Sequence, residues 1–185
     1  MSFDGTLVGF GTRGLHSLRH ILEREYGEAA TASLQEAGFA AGDQVYDVFA
    51  AWLRETRGLA DPADIAADQL GSVLAGFFQV QGWGSVSITP LGASGLAIDS
   101  SDWAEAEPSA NALAPACHIT AGMLAGFLGR LADQDVAVME IECRTRNDSR
   151  CRFLAGAPET LQMVYDAVNA GQDYMTLLAG QGVTP

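Results

Sequence analysis

The sequence predicts an α+β domain, with a helical N-terminal half and an antiparallel sheet of about four strands packed by helices. Three observations predict it. Apolar residues recur at helical spacing as far as Phe78, short runs from Ser85 onward alternate apolar with polar, and stretches of helical spacing separate and follow those runs. No repeat or low-complexity segment interrupts this order, and helices interposed among antiparallel strands are the signature of an α+β domain.

Leu15, Leu18, Ile21 and Leu22 share one face of a first helix that starts with Thr12 as its cap and ends at Gly27. A second helix is expected from Ala29 to Ala37, broken at Gly38 and Gly42. Val45, Val48, Phe49, Trp52 and Leu53 then mark a third helix ending near Gly58. Asp61-Pro62 is a good start for the next helix, because proline suits the first helical position, and Leu70, Val73, Leu74, Phe77 and Phe78 carry it toward Gly82. Val86 and Ile88, then Leu96 and Ile98, alternate with polar residues on either side of a Pro90–Gly95 turn, which predicts a hairpin.

Residues 99–114 read as a connecting loop, and Pro115 to Ala132 as a helix whose Gly122, Gly126 and Gly129 let another backbone come close. Val136 to Arg144 and Arg150 to Leu154 are expected to be strands joined by a turn at Asn147-Asp148. Pro158 opens a last helix with Leu161, Val164, Tyr165 and Val168 on one face. Residues 1–180 are expected to form one domain, with residues 181–185 a frayed tail.

The composition excludes several functions. The chain of 185 residues has a formal charge of −13 and no lysine, so Schiff-base chemistry, a pyridoxal phosphate anchor and a phosphate-loop lysine are ruled out. The acidic balance, with no basic run, makes nucleic acid an unfavourable partner. Every apolar stretch is interrupted before the roughly 20 residues that span a bilayer, and the N-terminus lacks a basic-then-apolar signal pattern, so a cytoplasmic location is expected. Neither Gly9-Phe10-Gly11 nor the run from Gly92 to Gly95 has the spacing of a dinucleotide-binding loop. His16 and His20, four apart on one helix, are expected to be surface residues.

Three cysteines without an export signal leave either buried thiols acting as small apolar groups or a metal site. Cys117 lies early in a predicted helix, Cys143 at the end of one strand and Cys151 at the start of its partner, so the three can converge. Three thiolates favour zinc or another thiophilic ion, and a carboxylate can close a tetrahedral site. The residues alone leave Glu140 and Glu142 both open as the fourth ligand. Simple alternation puts both on the face opposite Cys143, so a bulge or a strand end is needed. Arg144, Arg146, Arg150 and Arg152 either offset the negative charge of such a site or form an ordinary solvated hairpin.

Cys117-His118-Ile119-Thr120-Ala121-Gly122, Gly126-Phe127, Glu140-Ile141-Glu142-Cys143, Asn147-Asp148 and Cys151-Arg152-Phe153 together resemble the 4-vinyl reductase domain family, best over residues 82–153, with Ser101 to Ala106 a weaker match. This family includes predicted hydrocarbon-binding proteins and the aromatic-sensing domains of phenol- and xylene-responsive activators, and its fold is similar to a vesicle-tethering subunit family. The resemblance implies a zinc held by Cys117, Glu140, Cys143 and Cys151. It also implies a pocket between the 115–132 helix and the sheet, where Ala121 and Val138 hold the matching positions. Phe77, Trp83, Trp103 and Phe127 could supply apolar surface there, and His118 could line the mouth.

On this resemblance the chain is expected to bind a small hydrophobic or aromatic molecule as a homodimeric sensor or carrier. It lacks the aromatic and histidine residues at the phenol-gripping positions of those sensors, so phenol is not the expected ligand, and the small Ala121 and Val138 suit a larger or wholly apolar one. An enzyme or accessory acting on a vinyl-bearing tetrapyrrole is the second implication, and a dimeric assembly scaffold the third.

Overall fold

The computed structural model describes residues 8–91 and 95–174, so the expected frayed tail at 181–185 lies outside the described residues. Helices α1 (Thr12–Tyr26), α2 (Ala29–Arg57) and α3 (Ala67–Val80) precede strands β1 (Ser87–Pro90) and β2 (Gly95–Ser100). Helix α4 (His118–Ala132), strands β3 (Ala137–Glu142) and β4 (Cys151–Gly156), and helix α5 (Pro158–Asn169) follow. The sheet is antiparallel throughout, in the order β1-β2-β4-β3. The expected α+β class and four strands are therefore both present.

Helices α2, α3 and α4 bury one face of the sheet. Phe49, Leu53, Phe77, Phe78, Trp103 and Phe127 meet Ile98, Phe153 and Ala155 there in the main core. The opposite face is covered by α5, whose Leu161 and Val164 pack on Ala97, Ile141 and Leu154. This division follows from the two-residue period of a strand: Phe153 and Ala155 point one way and Leu154 the other.

Glycine corrects the expected break in the second helix. Gly38 and Gly42 lie inside one continuous helix α2, because they serve tertiary packing and not chain reversal. A Cβ on Gly38 would stand 2.1 Å from the Ile119 carbonyl oxygen, and one on Gly122 would stand 1.9 Å from that of Gln35. Gly38, Gly42, Gly122 and Gly126 thus bring the backbones of α2 and α4 together, at a local cost in helix propensity that the packing offsets.

Other boundaries shift for local reasons. Thr12 is the first residue of α1, not its cap, since Gly11 holds the extended cap position. Pro62 opens a 3-10 turn capped by the Asp61 carboxylate, which accepts from the Ala63 amide, and α3 begins only at Ala67. Helix α4 begins at His118 instead of Pro115, which leaves Cys117 in the cap position. The long connection holds a short 3-10 turn at Pro108–Ala110.

Helix α1 also departs from its expected packing. Leu18 and Ile21 of the apolar stripe are 40% and 43% exposed, while Arg19, a charged residue, is 3% exposed. The helix is anchored through its polar side.

Candidate metal centre

Three elements bring the cysteines together. Cys117 caps α4, Cys143 follows β3, and Cys151 opens β4; all three are buried and free. The Cys117 sulfur lies 3.8 Å from that of Cys143 and 3.9 Å from that of Cys151. A tetrahedral ion with metal–sulfur bonds of about 2.3 Å holds its sulfurs about 3.8 Å apart. Adding a carboxylate oxygen of Glu140 leaves all four donor atoms within 4.8 Å of one another.

The choice between Glu140 and Glu142 is made by a β-bulge. Glu140 pairs with Phe153 and Glu142 with Arg152, so Ile141 is the extra residue, and the ladder shifts between Glu140 and Glu142. Ile141 packs with Leu154 on the α5 side, and Glu142 lies opposite Arg152 on that same side. Glu140 and Cys143 are thereby returned to the α4 side, which unbroken alternation forbids.

The environment of Glu140 fits a cation. Its Oε2 accepts from the Cys117 amide at 2.8 Å, whereas Oε1 is buried with no partner. Burial, reinforced by the ionised Cys143 sulfur, pushes the Glu140 carboxyl up to about 9. The Cys143 thiol is lowered by accepting from Cys117 and Cys151, while the Cys117 thiol is raised well above its ordinary value by donating to its neighbours and then by burial. Four acidic groups share one buried volume, and their simultaneous ionisation requires a compensating charge. A divalent ion held by the four groups would supply it.

Glu142 has a different setting. Arg150 donates to both of its oxygens at 2.9 and 3.0 Å, Tyr174 donates to Oε1, and its carboxyl is lowered by Arg150 and Tyr174 despite partial burial. Arg152 grips Asp99 at 2.6 and 2.7 Å on the same face. Arg146 pairs with Asp148, whose carboxylate accepts from the Cys143 amide at 2.7 Å and so fixes the knuckle that carries this sulfur. Arg146, Arg150 and Arg152 therefore bind carboxylates of their own hairpin and of β2, which goes against the first of the two readings, that they offset the charge of the cluster.

The fourth ligand is tested by two substitutions. Glu140→Gln is expected to reduce metal content below one ion per chain and to weaken retention about tenfold or more. Glu142→Gln should keep the metal and lose about 1–2 kcal/mol of stability with its charge-assisted hydrogen bonds. Elemental analysis and a thermal melt of both variants decide it, and metal loss confined to Glu142→Gln would overturn the assignment.

Glu105, Glu107 and Thr145, beside the cluster, are not among the site residues expected from the sequence. Glu105 is 2% exposed; it accepts from the amides of Ile119 and Thr120 and from the Thr120 hydroxyl, tying down the first turn of α4. Trp103 donates to the same hydroxyl at 2.7 Å. The Glu107 amide donates to Thr145, a fully buried residue two positions past Cys143. The stretch 101–106 drew notice only through family resemblance, because an isolated acidic residue in a predicted loop resembles any solvated one.

The expected ligand-contacting residues divide into two groups. His118, Ala121 and Val138 line a groove of about 570 Å³ beneath α4 and α5, along the outer edge of β3, and Cys117 and Glu140 line it too. Burial lowers the basicity of His118, whose ring nitrogen lies 3.5 Å from the Thr31 hydroxyl. Phe77, Trp83, Trp103 and Phe127 lie elsewhere, in the aromatic core: Trp83 stacks on Trp103 at 5.5 Å, and Phe77 on Phe127 at 6.3 Å. His16 and His20 flank Glu107, and the His20 Nε2 is 2.8 Å from its carboxylate.

The fold and the cluster define an α+β domain with a buried site of three thiols and one carboxylate, set against an open groove. Residues 101–157 match the family model of the 4-vinyl reductase domain, as the resemblance implied. No curated protein matches the chain. Among solved structures, the phenol-responsive sensory domain of the transcription activator PoxR with phenol aligns with a TM-score of 0.60 at 20% identity, over 83% of this chain and 77% of that one. A vinyl-4-reductase family protein from Methanocaldococcus jannaschii aligns with a TM-score of 0.54 at 18% identity, over 80% and 82%. Trafficking protein particle complex subunit 3 from Naegleria fowleri, covalently bound to palmitic acid, aligns with a TM-score of 0.59 at 15% identity, over 78% and 91%. At these identities the likeness establishes the fold. Among the described residues no helix is long and apolar enough to cross a membrane.

Proposed function

We propose that the chain is a zinc-containing cytoplasmic domain that senses or carries a small hydrophobic or aromatic molecule and works as a homodimer. The observation that carries this reading is that groove and cluster share residues, since Cys117 and Glu140 line the one and belong to the other. A molecule in the groove would touch the groups that hold the metal. Zinc suits three thiolates and a carboxylate, and with four protein donors it has no open position, so its contribution is to folding.

In this reading Ala121 and Val138 form the wall against which an apolar ligand rests, and His118 stands at the mouth. A volume of about 570 Å³ is within the range of small-molecule sites. Phe77, Trp83, Trp103 and Phe127 act from behind, as the packed core that fixes α4. The PoxR domain, whose structure holds phenol, lends support by its shared fold. The exposed Leu18 and Ile21 on α1 support a homodimer, because a second copy would cover them.

Native mass spectrometry with elemental analysis of protein purified without added metal tests zinc, oligomeric state and ligand together. One zinc per chain, a dimeric mass and an extra apolar mass are expected. A colourless monomer without metal that ignores small aromatics would overturn the reading, and a bound mass with a visible absorbance band would point to a tetrapyrrole instead. Val138→Phe, which fills the groove, is expected to lower affinity for a bound aromatic at least about tenfold with metal content unchanged.

A further inference from the structure

A cation from outside the hairpin also holds the elements of the cluster, and it comes from α1. Arg19 donates through Nη2 to the Glu107 carboxylate at 2.7 Å, and through Nη1 to the carbonyl oxygens of Glu105 and Ala116, each at 3.4 Å. Ala116 immediately precedes Cys117. The segment from Glu105 to Glu107 also holds the other walls of the centre: Glu105 ties the first turn of α4, and the Glu107 amide donates to Thr145 in the knuckle that carries Cys143. One guanidinium therefore fixes a segment that touches two of the three cysteine-bearing elements. It is also the sole buried side chain among the described residues of α1.

The chemistry of the site gives this clamp a direction. A divalent ion bound to three thiolates and one carboxylate leaves a net charge of about −2, and the buried carboxylate of Glu105 adds to the negative field around Cys117. A filled centre therefore strengthens the hold on a nearby guanidinium and fixes the Ala116 carbonyl that receives it. An emptied centre loses the ion that joins Cys117 to Cys143 and so loosens the geometry that the three acceptors share. Elsewhere on α1, Leu18 and Ile21 face outward, Leu15 and Leu22 are half-buried, and His20 meets Glu107 at 2.8 Å.

Resting on the metal reading above, we propose that Arg19 couples the metal centre to α1, so that a filled centre holds this helix docked and an emptied one releases it. The helix would then report the state of the centre to whatever covers Leu18 and Ile21. Coupling of this kind is reciprocal: an α1 that is pulled away must loosen the metal.

Hydrogen exchange and metal release test the proposal on the full chain. In Arg19→Gln, α1 amides are expected to exchange at least about tenfold faster with α2 and α4 unchanged, and transfer of metal to a chromophoric chelator should accelerate by a similar factor. Arg19→Lys keeps the charge but cannot reach all three acceptors, so partial rescue is expected. Leu15→Ala loosens α1 without touching the clamp, and a merely structural role predicts equal acceleration there. Metal present but released at the wild-type rate from Arg19→Gln, or equally fast release from Leu15→Ala, would overturn the coupling alone. A wild-type protein that never holds metal would overturn the metal reading and the coupling with it.

Discussion

Cys143→Ser is expected to empty the metal centre and lower the melting temperature by about 10 °C or more. The substitution removes one of three soft donors and leaves Cys117, Cys151 and Glu140 buried around a gap, with Glu140 Oε1 still without a partner. Structural zinc sites contribute apparent binding free energies of about 10–16 kcal/mol, and that binding is folding free energy because the site does not exist in the unfolded chain. A whole domain is stable by only about 5–15 kcal/mol. Even a loss of roughly 4 kcal/mol corresponds to about 8–16 °C for a domain of this size. Elemental analysis and calorimetry on the variant check this. One metal ion per chain with an unchanged melting temperature would show that Cys143 is not a ligand and overturn the assignment.

Gly122→Ala is expected to be comparably damaging, for a reason unconnected with metal chemistry. The added methyl would stand 1.9 Å from the Gln35 carbonyl oxygen and 2.8 Å from the Phe39 amide, both backbone atoms that no side-chain rotation relieves. Overpacking a rigid contact costs about 1–3 kcal/mol and more where the backbone must move, so a loss of at least about 3 kcal/mol, or roughly 6–12 °C, is expected. Displacing α4 also moves Cys117, so metal retention should fall with stability. Gly71→Ala in α3 is the control, since its nearest neighbour would be the Ile88 Cβ at an ordinary 3.7 Å. There the better helix propensity of alanine should leave stability unchanged or raise it by up to about 1 kcal/mol. Equal melting temperatures for the Gly122→Ala variant and the wild type would show that α2 and α4 can separate freely.

Much of the fold was legible because periodicity is local. The apolar spacing of Val45 to Leu53, the alternation around Val86 and Ile98, and the proline before Glu159 each specify an element without reference to the rest of the chain. The same local reasoning misread Gly38 and Gly42 as a break. A glycine in a helix reads the same whether it ends that helix or admits another, and the difference lies in Ile119 and Met123, some 80 residues away.

The site divides along the same line. Three cysteines on elements that can converge, and carboxylates beside Cys143, were enough to pose a metal centre, and family resemblance chose Glu140. Alternation alone excluded that choice. Its resolution required the extra residue at Ile141, which is visible only once β3 is set against β4.

By itself the sequence determined the α+β class, the succession from helices to strands and the three cysteines as candidate donors, because residue type and short-range spacing decide these. Only the tertiary structure decided that the hairpin arginines pair with Asp99, Glu142 and Asp148, that Arg19 reaches the flank of the centre, and that His118, Ala121 and Val138 share a groove while Phe77, Trp83, Trp103 and Phe127 share a core. Those pairings join residues distant in the chain, and which partner a buried charge or ring meets is set by how the elements pack, a choice that no local pattern records.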